Sequence, residues 1–157
     1  RFDLRFAKTS SSINGTDACI AILEYKRRNY IEYTDFAPAL LEDMSTVETV
    51  KAKKAAVGAS KTHLKRDALQ YTKHLAAYAH QPKCRHVALF NWDYLLLFDF
   101  FKISEQQSFP DYGVSITAGD EAKVAWVQER LPGKQYMEVG KIRKVMLGWI
   151  IQAFEEA

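Results

Sequence analysis

Residues 18 to 28, Ala18-Cys19-Ile20-Ala21-Ile22-Leu23-Glu24-Tyr25-Lys26-Arg27-Arg28, decide how this chain is organised. The run is rich in Ile, Leu and Tyr and reads as a β-strand. Side chains alternate along a strand, so Glu24 and Lys26 project from one face while Tyr25 points away and leaves its carbonyl near the same edge. Upstream, residues 2 to 7 alternate in the same β-prone manner, and residues 8 to 17 are a Ser/Asn/Gly-rich turn segment. The two strands are therefore expected to form a long-looped hairpin that folds back near Asn14-Gly15.

A fold-back there pairs residues whose numbers add up to 27 and sets Asp3 opposite Glu24. The same register puts Phe2, Leu4 and Phe6 with Ala21, Leu23 and Tyr25 on an apolar face, and Arg1, Asp3, Glu24 and Lys26 on the other. Asp17 is the competing acid. On one continuous strand it would stand roughly 23 Å from Glu24, at ~3.3 Å per residue, too far to share an ion. Asp3 is the better partner.

Working outward, Pro38 is expected to open a helical stretch with a break near Ser45 that runs to about Val57. After Gly58-Ala59-Ser60, a second helix is expected over residues 61 to 79. Its apolar stripe is Leu64, Ala68, Tyr71, Leu75 and Tyr78. Residues 85 to 90 and 94 to 101 flank Asn91-Trp92-Asp93 and read as two strands joined by a tight turn, with residues 114 to 117 a further short strand. Gly119-Asp120 is expected to introduce a helix that ends before Pro132-Gly133. The last helix, residues 138 to 155, carries Ile142, Val145, Met146, Trp149 and Ile150 on its core side. This order of elements predicts an α/β domain: a mixed central β-sheet of about four to five strands flanked by helices.

The chain has 157 residues, 48% of them hydrophobic, enough for the core of one domain spanning the whole sequence. Its longest apolar stretch, residues 94 to 101, is about half of the ~20 residues that a membrane-spanning helix needs, which predicts a protein without membrane partners. Two cysteines, Cys19 and Cys84, predict reduced thiols and an intracellular location, nucleus or cytoplasm. The histidines and cysteines do not fit a structural zinc site: His80, Cys84 and His86 lack ordinary spacing and a fourth ligand. The P-loop, the Gly-x-Ser-x-Gly elbow and the dinucleotide fingerprint are missing, which argues against kinase, serine-hydrolase and dinucleotide chemistry. The net charge is +3, but Lys51, Lys53, Lys54, Lys61, Lys65 and Arg66 crowd one stretch that is suited to phosphates.

Two close carboxylates are enough to hold Mg²⁺, which prefers one or two of them together with waters and substrate oxygens. A neighbouring lysine adds a positive charge where a phosphodiester would be attacked. With Asp3 facing Glu24-Tyr25-Lys26, the hairpin resembles the active-site hairpin of the PD-(D/E)XK nuclease superfamily, in which an Asp on one strand precedes an acid-x-Lys on the next. The helices that follow, Asp67-Ala68-Leu69-Gln70-Tyr71 within one of them, and the strand pair over residues 87 to 98 extend the resemblance over residues 1 to 101.

The resemblance implies a restriction-endonuclease-like fold and a metal-dependent nuclease acting on DNA in preference to RNA. Asp3, Glu24 and the Tyr25 carbonyl would hold Mg²⁺ or Mn²⁺, Lys26 would act beside them, and Gln70 would be an auxiliary catalytic residue. Arg27, Arg28 and the basic stretch would contact the nucleic-acid backbone. Many members also carry a helix before the Asp strand, often with another Glu. A chain that opens at Arg1 in a strand-like segment would take that helix from further domains or a partner chain, and a one-ion site is expected. Where a Gln-x-x-x-Tyr pattern would place a tyrosine, four residues after Gln70, this sequence has His74. The alternative is a catalytically silent nucleic-acid-binding or protein-interaction domain that keeps the same fold.

Overall fold

The computed structural model describes residues 3–9, 17–40, 64–101, 122–129 and 139–157. Five strands form one sheet in the order β1-β2-β3-β4-β5: β1 (Asp3–Lys8), β2 (Ala18–Tyr25), β3 (His86–Phe90), β4 (Tyr94–Asp99) and β5 (Lys123–Gln128). β2 and β3 run parallel, and the other neighbours are antiparallel. The sheet is therefore mixed, and helices flank it: α1 (Tyr33–Phe36), α2 (Arg66–His80) and α3 (Lys141–Glu155).

Each face of the sheet packs its own core. On one, Ala68, Leu75, Ala76 and Ala79 of α2 bury against Ile22, Val87, Leu89 and Leu96, with Phe36 of α1 beside them. On the other, Ile142, Trp149 and Ala153 of α3 bury against Ala21, Leu23, Ala88 and Leu95. The alternation along β2 and β3 thus serves two hydrophobic layers, which is why both strands are buried almost throughout. The stripes expected on the second and last helices are the faces that pack, with Tyr71 and Tyr78, and Val145, Met146 and Ile150, at their margins.

The hairpin register is the expected one from Asp3 to Phe6: Asp3 pairs with Glu24, Leu4 with Leu23, Arg5 with Ile22 and Phe6 with Ala21. An irregularity between Phe6 and Ala7 shifts the remaining pairs by one residue. Leu4, expected on the apolar face, is 55% exposed, because β1 is an edge strand with little beyond it.

Several element boundaries differ from the expectation. The largest correction is residues 123 to 128, expected within a helix: they form β5, paired along its length with β4. Val124, Trp126 and Val127 suit a pleated surface, and the open edge of β4 decides the outcome over the helix-forming Ala and Glu nearby. β2 ends at Tyr25 rather than at Arg28, since Asn29 turns the chain with φ 66°. Pro38 does not open the first helix. It lies in a 3-10 turn, Ala37–Ala39, that follows α1, and Leu40 is already extended. α2 starts at Arg66 because the Lys65 N–H donates to the Asp35 carbonyl at 3.0 Å and holds Lys65 extended. α3 starts at Lys141, after Gly140 at φ 81°, a conformation suited to glycine. The rest of the first expected helix, the expected strand over residues 114 to 117 and the hairpin turn near Asn14-Gly15 lie outside the described residues. Among the described residues no helix is long and apolar enough to cross a membrane.

Candidate functional site

The parallel pair β2 and β3 ends at Tyr25 and Phe90, and the Lys26 N–H continues the ladder by donating to the Phe90 carbonyl at 2.8 Å. This bond keeps Lys26 aligned beyond the end of β2, so the two-residue period still holds and Lys26 shares a face with Glu24. The result is an ion pair, with Lys26 Nζ 2.6 Å from Glu24 Oε1.

Glu24 was expected on the face of the hairpin opposite its apolar residues. It is 1% exposed, because α1 and α2 close over that face of the sheet. A carboxylate this deep needs a compensating charge, and the Lys26 side chain, itself 21% exposed, supplies one. Asp35 of α1 is a second buried acid, 7% exposed.

Tyr71 of α2 completes the cluster. The Lys26 ammonium lies 5.0 Å from the centre of its ring, within cation–π range. Burial pushes the Tyr71 phenol above its ordinary value, and the charges of Asp67, Tyr30, Asp35 and Glu24 push it further. The phenol therefore stays protonated and can donate a hydrogen bond at neutral pH. Sequence reasoning placed Tyr71 in the apolar stripe and missed its place beside Lys26. The readable signal was Asp67-x-x-x-Tyr71, an i, i+4 pair whose members share a helix face.

The other expected site residues are distributed as follows. Asp3 is the backbone partner of Glu24. Asp17 lies just before β2, exposed, a strand's length from Glu24. The Tyr25 ring sits with Phe90 and Trp92. Gln70 is exposed on α2, next to the residue that does reach Lys26. Arg27 and Arg28 are exposed in the turn after β2, and Arg28 Nε is 3.5 Å from Asp93. Lys65 and Arg66 are exposed at the start of α2, whereas Lys51, Lys53, Lys54 and Lys61 lie outside the described residues.

The Glu24 and Asp3 carboxylates and a backbone carbonyl are hard oxygen donors, the kind that Mg²⁺ and Mn²⁺ favour. Among the residues whose side chains are described, no group of three or more His, Cys, Asp or Glu is placed to hold a metal ion.

At the opposite end of the sheet a second charged network joins β3, β4 and the end of α3. Arg85 Nη2 donates to Asp99 Oδ2 at 2.9 Å, and Arg85 Nη1 and His86 Nε2 each lie 3.0 Å from Glu156 Oε2. These residues tie the chain's last turn to the sheet, far from Lys26 along β2 and β3. No family model, curated protein or solved structure matches the chain.

Proposed function

We propose that this chain is a metal-dependent nuclease that hydrolyses phosphodiester bonds on a restriction-endonuclease-like sheet, with DNA favoured over RNA as substrate. The observation that carries the reading is the register of β1 and β2: Asp3 pairs with a buried Glu24 whose carboxylate is held by Lys26. An acid opposite an acid-x-Lys, on adjoining strands, is a compact arrangement for phosphate chemistry.

Asp3, Glu24 and the Tyr25 carbonyl would hold Mg²⁺ or Mn²⁺, which when bound would polarise a phosphate and increase the acidity of a water. Lys26 would exchange its contact with Glu24 for the phosphate and offset the charge that builds there. The protonated Tyr71 phenol, on the same face, would donate to an oxygen of the substrate. Arg27, Arg28, Lys65 and Arg66, with Lys51, Lys53, Lys54 and Lys61, would contact the backbone without regard to sequence.

One observation favours a second reading: Lys26 already compensates Glu24, as suits a silent nucleic-acid-binding or protein-interaction domain. Incubation with duplex DNA, single-stranded DNA and RNA, in Mg²⁺, Mn²⁺ or EDTA, separates the two. The nuclease reading expects cleavage with either ion, none in EDTA and none in Glu24→Gln, which removes a charge at constant size. Activity above a few per cent in folded Glu24→Gln would sink the metal assignment. No cleavage, together with no calorimetric Mn²⁺ binding, would leave the silent domain.

A further inference from the structure

The turn between β3 and β4 is a two-residue hairpin whose first central residue is a tryptophan in a conformation that suits glycine. Trp92 has φ 70°, while Asp93 is not in the positive-φ region. A positive φ at the first central position alone is the pattern of a type II′ turn, where glycine is the usual occupant. For a bulky side chain this backbone is a steric outlier, and such outliers persist where the surroundings impose them.

The surroundings here are specific. Asn91 is fully buried, and its Oδ1 accepts from the N–H groups of Asp93 at 3.2 Å and Tyr94 at 2.9 Å. The Asn91 N–H donates to the Tyr94 carbonyl at 3.1 Å. The indole rests against Tyr25 and Phe90, with centroids 5.8 and 5.5 Å away and inclined planes. It is nonetheless 61% exposed. One side of the ring is therefore open to a ligand, and a turn needed only to reverse the chain would be easier to form with glycine.

The location gives the strained ring a context. Tyr25, on which it rests, lies between Glu24 and Lys26 in the chain but points to the other face of the sheet, so the indole stands at the strand ends, across the sheet from the Glu24–Lys26 pair. The Arg28 guanidinium is near Asp93 in an exposed pair, with side chains 66% and 46% exposed, that solvent weakens and an anion can open. An exposed aromatic face near an arginine is a pairing that single-stranded nucleic acid uses, with a base on the ring and an adjoining phosphate on the cation.

We propose that Trp92 is a stacking platform for an unpaired nucleobase, which makes single-stranded nucleic acid the ligand class taken up at the strand ends beside Arg28. The choice of ligand rests on the nuclease reading above, but the binding needs no metal. A duplex keeps its bases stacked on one another and offers the indole no free face.

The test is binding of a short fluorescent oligothymidylate in EDTA, with a duplex of equal length as control, to the wild type, Trp92→Gly and Trp92→Phe. Wild type should bind the single strand more tightly than the duplex and lose tryptophan fluorescence on binding. Trp92→Gly suits the turn, so it should fold with an undiminished melting temperature and weaken the single-strand complex roughly five- to hundredfold, the range for losing one stacked base. Trp92→Phe should fall between them, and the salt dependence should be the same in all three, because the phosphate contacts remain. Single-strand binding by folded Trp92→Gly within twofold of wild type would overturn the proposal, as would equal Trp92 dependence for the duplex. A marked drop in melting temperature for Trp92→Gly would also count against it, by making the ring a packing element. Trp92-dependent binding without cleavage in Mg²⁺ or Mn²⁺ would reject the nuclease reading and leave the platform standing.

Discussion

Lys26 Nζ stands 2.6 Å from an oxygen of Glu24 even though Glu24 is 1% exposed and Lys26 lies beyond the last residue of β2. Removing the ammonium takes a close counter-charge from a buried carboxylate. Lys26→Met should therefore destabilise the fold by roughly 1–3 kcal/mol, at the lower end of buried-pair losses because Lys26 is partly solvated. Adding Glu24→Gln should recover part of that loss. Urea denaturation of the two single variants and the double variant measures it, and simple additivity would mean that the pair contributes nothing to stability.

Asp3 and Asp17 make opposite predictions for a bound ion. Asp3 pairs with Glu24, whereas Asp17 precedes β2 by one residue and is exposed. Asp3→Asn should abolish metal-dependent cleavage and weaken Mn²⁺ binding. Asp17→Asn should leave both within about twofold, as a surface substitution normally does. An inactive Asp17 variant beside an active Asp3 variant would remove the proposed ligand set.

The Arg85 network predicts a specific acid sensitivity. Burial pushes the Asp99 carboxyl up, but the hydrogen bond and charge of Arg85 outweigh it and hold it below the usual carboxylate range. Glu156 is also lowered, first by its hydrogen bond from Gln152 and then, against a burial penalty, by His86 and Arg85. A depressed folded value gives stability that is present above the unfolded value, near pH 4, and lost as pH falls through the folded one. Arg85→Ala should cost about 1 kcal/mol or less at pH 7, because Arg85 is 42% exposed, and the difference from wild type should shrink below pH 4. Denaturation curves at pH 7, 4 and 3 test the trend, and a gap that widens in acid contradicts it.

Tyr71 predicts the reverse dependence at high pH. Its phenol is raised by burial and by nearby acids, so the folded chain holds that proton more firmly than the unfolded one. Stability linked to this group is present below the ordinary tyrosine value, near pH 10, and is lost as pH rises through the raised value. Tyr71→Phe keeps a ring under Lys26 and should flatten the fall in stability above pH 10. Parallel alkaline denaturation profiles for the variant and wild type would contradict it.

The sequence exposed those parts of the fold that depend on neighbours in the chain. Alternation around Glu24 and a turn-prone segment were enough to pair Asp3 with Glu24, since both follow from one hairpin. The core faces of α2 and α3 were legible from 3.6-residue spacing. What was hidden depends on distant partners. Glu24 looked solvent-facing because nothing local shows that α1 and α2 cover it. Residues 123 to 128 looked helical because the β4 edge that recruits them lies more than twenty residues upstream. Tyr71 looked like an ordinary core residue until α2 was placed against β2, which brought Lys26 onto its ring.

The parallel joint between β2 and β3 has a kinetic consequence. β1 with β2, and β3 with β4, are pairs of strands adjacent in the chain, whereas the joint unites Tyr25 with Phe90 across a long intervening segment. Closing that loop costs chain entropy that neither local hairpin repays alone, so the joint is expected to form late in folding. Lys26 is aligned by its bond to Phe90, and Trp92 rests on Tyr25 from the far side of the same joint. The acid–lysine pair and the indole are thus assembled in one late event, and a refolding chain would gain the proposed nucleic-acid binding only when that slow step is complete.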